Sequence, residues 1–223
     1  MSMLQEAQIC CPQCGQAAPF QLWETIQASQ DPTARQRILD GTFFQFICPR
    51  CGASMPVHYT CLYHDPQRRQ MVYLLAEEQE ELARAIAQCR TTLRQEYQQQ
   101  LAQYRTRIVT SGHSLREKLL IWDRGRDDRL VELCKLFLQT NLPKHRPDFQ
   151  LEEAYYDWQD DVECLRLFSK EGQAALYPLD PLYQQLSPAF TPHLPPEDPA
   201  GFPLVDLAWA ARQLESMTEN DPR

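Results

Sequence analysis

The segments CPQCG (residues 11–15) and CPRCG (residues 48–52) decide how the first part of this chain folds. Each places two cysteines three positions apart, with proline after the first cysteine and glycine after the second. Proline fixes φ and stiffens a tight turn, whereas glycine accepts the positive φ that lets the chain fold back toward the thiols. The repeated pattern predicts two matching turns, here called knuckles, which present four thiols: Cys11, Cys14, Cys48 and Cys51.

Four thiolates form one complete tetrahedral metal shell. Zinc with Zn–S distances of ~2.3 Å needs sulfurs roughly 3.8 Å apart, which cysteines at i and i+3 of a tight turn can provide. Because four thiolates leave no coordination position for water, the pattern predicts a structural Zn²⁺ and not a hydrolytic one. Iron in a rubredoxin-like shell, two disulfides and free thiols are the alternatives that the sequence leaves open.

The composition is typical of a globular chain. Of its 223 residues, 43% are hydrophobic and 10% aromatic, which is enough for a core. The sequence has neither an N-terminal apolar run nor an apolar stretch of about 18 residues, so neither a secretory signal nor a membrane span is predicted. We therefore expect a cytoplasmic protein, whose other cysteines are buried thiols without disulfides: Cys10, Cys61, Cys89, Cys134 and Cys164.

The net charge of −8 is unevenly distributed. Residues 1–75 are neutral overall, residues 76–130 carry +1, and residues 131–223 carry −9. This distribution lacks the basic footprint of a nucleic-acid-binding domain. We therefore expect a non-enzymatic zinc-binding protein that associates with a protein partner or with itself. A nucleic-acid-binding zinc ribbon and an enzyme with a structural zinc are the alternative functions.

The predicted fold class is α+β, beginning with a zinc-ribbon-like β module. Alternating apolar residues predict strands at residues 20–26, 42–47, 55–59 and 70–75. Between the first two, Asp31-Pro32 opens a short helix, and Gly41 follows its end as a left-handed cap. A structural zinc contributes about 10–16 kcal/mol of apparent folding free energy, which would be most of the stability of so small a module.

The rest of the chain is predicted to be helical first and then β. A long amphipathic helix is expected at residues 76 to about 105, and its apolar stripe between residues 82 and 104 must pack within the chain, on a second copy or on another protein. A helical pair follows at residues 111–122 and 126–142. An antiparallel β-meander is predicted at residues 149–158, 162–169 and 174–179, and a short helix at residues 180–186.

Six prolines between residues 188 and 203 predict an extended tether. It leads to an amphipathic helix at residues 204–217, which is marginal alone in water and must therefore dock. This helix could dock on the stripe between residues 82 and 104, on a second copy of the chain or on another protein. The domain division expected from these elements is 1–75, 76–142, 143–187, 188–203 and 204–223.

Polar groups outside the knuckles give no catalytic or cofactor-binding residue. His64 and Asp65 are adjacent on an extended segment, so their side chains point to opposite faces and cannot easily form a dyad. His58 could replace a thiol on the metal, but four cysteines make that unnecessary. The run Arg124-Gly125-Arg126 and the charges after it are interpreted as a solvated turn, and the neighbouring aspartates argue against an anion site there.

The order and spacing of these motifs across residues 8–75 resemble the bacterial CpXC domain family. The resemblance rests on both knuckles together with Asp31-Pro32, the segment ILDG (residues 38–41) and the segment LYHD (residues 62–65), and it continues more loosely to about residue 190. It implies metal binding and no particular activity. The chain departs from the family at Cys61, where proline is expected.

Overall fold

The structure is a computed structural model that describes residues 3–77, 79–97, 101–159 and 161–219. Within these ranges the fold is α+β, as predicted, with six α-helices and three β-sheets. The chain divides into two compact units: unit 1 comprises Met1–Arg116 and Asp198–Pro203, and unit 2 comprises Glu117–Glu197 and Leu204–Arg223. No helix in the described part of the chain combines the length and the apolar character needed to cross a bilayer.

A five-stranded mixed sheet is the centre of unit 1. In chain order this unit contains β1 (Met3–Cys10), β2 (Ala17–Gln27), α1 (Pro32–Leu39), β3 (Gln45–Ile47), β4 (Ser54–Pro56), β5 (Cys61–Asp65), β6 (Gln70–Leu74), α2 (Gln79–Tyr97), β7 (Arg105–Val109) and the start of α3 (Gly112–Asp123). The strand order is β1-β2-β5-β6-β7, and β3 and β4 form a separate antiparallel pair. Strands β6 and β7 are parallel, and α2 is the crossover connection that a parallel pair requires.

The apolar stripe of α2 is buried within unit 1. Cys89 and Leu93 belong to a core cluster with Met71 and Ile108 of the sheet, and Ile86 packs against it. Of the arrangements that the sequence left open for this stripe, the structure shows packing within the chain. This packing explains why a helix of this amphipathic character is stable, because its stability comes mainly from burying one face.

The helix predicted at residues 76 to about 105 is too long. In the structure α2 ends at Tyr97, Leu101–Gln103 form a 3₁₀ turn, and β7 follows. Strand β7 was not predicted because Leu101 and Tyr104 continue the helical spacing of the preceding residues. Its pairing with β6 is a long-range contact, which local sequence patterns do not indicate. Positions 78 and 98–100 of the predicted helix lie outside the described residues.

Strand β1 is an edge strand that the sequence analysis missed. Its side chains are mostly exposed, so the segment MLQEAQIC lacks the apolar alternation that marks a half-buried strand. The strands predicted at 20–26 and 70–75 correspond to β2 and β6, whereas those predicted at 42–47 and 55–59 shorten to β3 and β4. Gly41 has φ +77°, which confirms its position as the left-handed cap after α1.

Unit 2 combines the predicted meander with helices. After the end of α3 it contains α4 (Asp128–His145), β8 (Leu151–Gln159), β9 (Val162–Ser169), β10 (Ala174–Pro178), α5 (Leu179–Phe190) and α6 (Leu207–Glu219). Strand β9 lies between β8 and β10 and is antiparallel to both. Position 160, between the strands predicted at 149–158 and 162–169, lies outside the described residues. Pro143 and Pro188 fall inside the final turns of α4 and α5, where each removes only one intrahelical hydrogen bond, so neither helix ends before its proline.

The proline-rich segment is not an extended tether. Thr191–His193 and Pro199–Gly201 form 3₁₀ turns, and Asp198–Pro203 belong to unit 1. Phe202 is fully buried in the cluster beneath α2, and its φ of +42° is uncommon for a residue other than glycine. Thr106 Oγ1 donates a hydrogen bond to the Pro199 carbonyl at 2.7 Å. Proline content predicts a stiff backbone, but it does not indicate that the side chain of Phe202 is buried in the core of unit 1.

Of the arrangements that the sequence left open for the C-terminal helix, the structure shows docking on its own chain, but not on the stripe between residues 82 and 104. Trp209 and Ala210 of α6 pack with Leu130 and Leu133 of α4 in unit 2. The stripe between residues 82 and 104 is not used, because α2 buries it against the sheet of unit 1. Helix α6 begins at Leu207, three residues later than predicted, and positions 220–223 of the predicted tail lie outside the described residues.

Candidate metal centre

Each CPxCG segment is the tip of a β-hairpin. The first connects β1 to β2, and the second connects β3 to β4. The two tips share one hydrogen-bond pattern: Gly15 N–H donates to the Cys11 carbonyl and Gly52 N–H to the Cys48 carbonyl, both at 2.9 Å. Gly15 and Gly52 have φ of +70° and +73°, which a residue with a side chain adopts only with strain. The predicted matching turns are therefore present.

The two turns bring four thiols together. Cys11 Sγ lies 3.6 Å from Cys51 Sγ, and Cys14 Sγ lies 3.6 Å from Cys48 Sγ. All four sulfurs lie within 4.8 Å of one another. A tetrahedral shell with Zn–S distances of ~2.3 Å needs sulfur separations of roughly 3.8 Å, so this cluster could hold a metal ion. Cys11 and Cys48 are buried and Cys51 is exposed, which places the cluster where an ion can reach it from solvent.

The electrostatics of the cluster favour a cation. The backbone N–H of Cys51 is the main group that lowers the pKa of the Cys48 thiol to about 6, and desolvation opposes it. The pKa of Cys14 is raised to about 12, because desolvation and hydrogen bonds with the other thiols outweigh the lowering by the Gln16 backbone N–H. One thiolate thus suppresses ionisation of its neighbours. A bound dication would reverse this effect, since it favours the thiolate form of every ligand.

A small apolar cluster supports the two hairpin tips. Ala18 and Phe46 are buried with Cys11 and Cys48, and partly buried side chains such as Phe20 pack around them. The rings of Phe20 and Phe46 meet edge to face with centroids 6.3 Å apart, which links the first hairpin to the second. The buried core that the two hairpin tips share is therefore small.

The five cysteines outside the cluster are free thiols, like the other four. Cys61, Cys89, Cys134 and Cys164 are buried, as expected, and burial raises the pKa of the first three to about 12. Cys10 is exposed, contrary to the expectation, because it lies at the end of edge strand β1, where side chains alternate between the two faces. Buried thiols of raised pKa are poor nucleophiles and poor ligands.

His64 and Asp65 make separate hydrogen bonds on opposite faces of β5, as predicted. His64 Nδ1 lies 3.2 Å from Gln27 Nε2, and its Nε2 lies 3.1 Å from Tyr104 Oη. Asp65 accepts hydrogen bonds from Tyr63 Oη at 3.3 Å and from the Arg68 guanidinium at 3.0 Å. Burial lowers the pKa of His64. These contacts are structural and give no support to a catalytic dyad.

His58 and His113 lie apart from the cysteine cluster. Both line a cavity of about 50 Å³ at the start of α3, which has room for one or two water molecules. His58 does not belong to the group of potential ligands around Cys11. Among the described residues, Cys11, Cys14, Cys48 and Cys51 therefore form the candidate centre.

A second group of close carboxylates is already neutralised. Asp127, Asp128 and Glu197 could face a common cation, but Arg129 lies 2.6 Å from Asp127 and 3.3 Å from Glu197. Lys118 Nζ lies 3.3 Å from Asp128. Asp128 is buried, although the sequence predicted a solvated turn here. The run of charges by itself does not show that Lys118 is nearby.

Comparison with known proteins agrees with this site. The profile of the CpXC protein family matches residues 9–135, which is more than half of the chain and includes both knuckles. Neither the curated proteins nor the solved structures give a significant match. The hairpin tips, the four clustered cysteines and the family profile thus lead to one assignment: this chain belongs to the CpXC protein family.

Proposed function

We propose that Cys11, Cys14, Cys48 and Cys51 bind one Zn²⁺ as a structural cross-link between the two hairpin tips of unit 1. The observation that carries this proposal is the shared turn geometry, which brings four sulfurs within 4.8 Å of one another. Four sulfur ligands complete the shell, so the ion would have no open position for a substrate or a water molecule. The function of the metal would be to hold the fold.

The energetic reason for a metal here is the size of the supporting core. The apolar cluster at the hairpin tips has four buried members, two of which are the cysteines themselves. A structural zinc contributes about 10–16 kcal/mol of apparent folding free energy, whereas burial of one apolar side chain contributes about 1.5–3 kcal/mol. The cross-link would therefore dominate the stability of this part of unit 1.

We further propose that the zinc-stabilised unit is a non-enzymatic binding module for a protein partner. The hydrogen bonds of His64 and Asp65 on opposite faces support a structural role for these residues. The stripe of α2, which first suggested association, is covered within unit 1. A partner would therefore use another surface of the chain.

Metal analysis of the purified 223-residue chain tests the metal proposal. We expect one zinc per chain in the wild type, and a loss of zinc in Cys48→Ser and Cys51→Ser. Cys10→Ser is the matched control, because this exposed cysteine is next to a ligand and lies outside the cluster. A wild-type chain without metal, or zinc retained by both variants, would contradict the proposal. If the chain instead contains stoichiometric iron and shows a visible absorption band, the metal bound by these four cysteines is iron and not zinc.

A further inference from the structure

A groove of about 410 Å³ lies beside the candidate metal centre in unit 1. Two aromatic pairs line it and link β2 to the segment that forms β3. Phe20 meets Phe46 at 6.3 Å between ring centroids, and Trp23 meets Phe43 at 5.8 Å. The groove therefore combines aromatic rings with polar side chains such as Gln21 and Gln45, a mixture that is found in recognition surfaces.

Two strand edges border this groove without a strand partner. Strand β2 pairs with β1 over residues 17–25, but with β5 only over residues 25–27. Strand β3 pairs with β4 alone among the described strands. Residues of β2 and β3 line the groove, and none of the described residues of β1 or β4 does, which is the pattern expected of a groove along their unpaired sides. Pro19 of β2 also lines it and has no N–H to offer. Unpaired edges offer N–H and C=O groups to an extended peptide.

The edge of β3 carries no charged side chain and no bulge, although at three residues the strand is short. Ile47 lines the groove and is 65% exposed. Proteins normally protect such an edge with a charge, a proline, a bulge, a covering segment or a very short strand, and an exposed apolar edge invites strand addition. The three residues of β3 are Gln45, Phe46 and Ile47, none of them charged.

Arg37 is the one charged side chain among the described lining residues. Its guanidinium lies over the Phe43 ring at 5.3 Å from the centroid, and no carboxylate in the described part of the chain forms an ion pair with it. An uncompensated cation beside apolar rings is complementary to an acidic side chain. Nucleic acid fits less well, because its backbone requires several cations along a groove, and residues 1–75 are neutral overall.

We propose that this groove binds an extended segment of a partner protein as an added β-strand, with an acidic side chain at Arg37 and an apolar side chain at Ile47. This inference deepens the proposed binding role by naming the class of partner. It also rests on the proposed zinc site, because Ile47 and Pro49 flank Cys48 and line the groove. Closure of the second knuckle would thus set the shape of the groove.

Selection from random peptides displayed on phage, with the zinc-loaded 223-residue chain as bait, tests the proposal. We expect enriched peptides to alternate apolar and acidic residues. Measured by fluorescence anisotropy, their affinity should fall about tenfold or more in Ile47→Asp and in Arg37→Glu. Leu176→Asp is the matched control, because Leu176 is 52% exposed on edge strand β10 of unit 2, and this change should leave affinity unaltered.

Two modified peptides test the mode of binding. Replacing the acidic residues of an enriched peptide by lysine should restore binding to Arg37→Glu, because the charge pair is then re-formed in reverse. Methylating alternate backbone nitrogens should abolish binding, because a strand without its N–H donors cannot pair with β2 or β3. Equal binding of the methylated peptide would rule out strand addition.

Other outcomes overturn the proposal. They are the absence of enriched peptides, or peptides whose binding ignores both Ile47→Asp and Arg37→Glu. Salt-sensitive binding of single-stranded oligothymidylate through these residues would assign the groove to nucleic acid, and a dimer in light scattering that Ile47→Asp dissociates would assign it to a second copy. Zinc is measured in the same samples. A zinc-free wild type that still binds peptides through Ile47 and Arg37 contradicts the zinc site and the dependence of the groove on it, but not strand addition. A zinc-loaded chain without groove-dependent peptides contradicts the groove proposal alone.

Discussion

Replacing Lys135 by methionine should destabilise unit 2 by about 3–5 kcal/mol at neutral pH. Lys135 Nζ lies 2.6 Å from Glu117 and 3.1 Å from Glu132, and Lys118 Nζ lies 3.0 Å from Glu132. With Asp128, which pairs with Lys118, these side chains form a buried network of three carboxylates and two lysines, each at most 3% exposed. Solvent cannot replace a partner that is removed from such a network.

The magnitude follows from the charges that the substitution leaves behind. Without Lys135, three buried carboxylates would share one lysine, Lys118. Removing one partner of a buried ion pair typically costs about 3–5 kcal/mol, because it leaves an uncompensated buried charge. Methionine nearly preserves the volume of the lysine stem, so the loss would reflect electrostatics and not a cavity.

The pH dependence has a definite sign. Desolvation opposes ionisation of Glu132, but Lys118 and Lys135 lower its pKa below the ordinary value. A carboxyl whose folded-state pKa is lowered contributes stability above its unfolded value, and this contribution is lost as pH falls. Glu117 acts in the opposite sense, since desolvation raises its pKa despite Lys135. In Lys135→Met the pKa of both carboxyls should rise, so the folded variant binds protons more readily. The difference from the wild type should therefore shrink as pH falls from about 7 to about 5.

Urea unfolding followed by tryptophan fluorescence measures this effect. Three of the four tryptophans, Trp122, Trp158 and Trp209, lie in unit 2, and a Trp23→Phe background removes the signal of unit 1. Lys144→Met is the matched control: Lys144 lies exposed on the same helix, and its loss should change stability by less than about 0.5 kcal/mol. A loss below about 1 kcal/mol for Lys135→Met, or one that does not vary with pH, would refute the reasoning.

Three further outcomes are expected. Phe202→Ala should destabilise unit 1 by about 3–5 kcal/mol, because its fully buried ring fills the core that packs against α2, whereas Leu4→Ala at a 48% exposed site of unit 1 should cost far less; urea unfolding followed by Trp23 fluorescence in a background without the other tryptophans measures both. The pKa of His64, measured by NMR, should lie below the ordinary histidine value of about 6.5, because burial disfavours the protonated imidazole. Its contribution to stability should be lost as pH falls through that range, and a pKa above the ordinary value contradicts this reasoning. Iodoacetamide should modify Cys10 in the native zinc-loaded chain and reach Cys61, Cys89, Cys134 and Cys164 only after unfolding, without disulfides in the intact mass; native labelling of Cys134 would show that its burial is transient.

The sequence by itself determined the features that depend on local chemistry. The spacing of Cys11 and Cys14, repeated at Cys48 and Cys51, requires two tight turns whatever surrounds them, and glycine after each pair marks the positive φ. The meander and the short helix after Asp31 were predicted for the same reason, since turn residues and alternation act within a few positions. The opposite orientation of His64 and Asp65 also follows from strand geometry alone.

Only the tertiary structure decided which distant segments meet. Strands β1 and β7 exist because β2 and β6 pair with them, and neither segment has a local pattern strong enough to reveal this. Phe202 anchors a proline-rich segment in the core of unit 1 through contacts with residues about 100 or more positions away, such as Leu93 and Ile108. The buried partners of Lys135 and the unpaired edges beside Ile47 are also consequences of packing. Local patterns specify turns and helix faces, whereas strand pairing and the burial of charge depend on contacts that form only when the whole chain has folded.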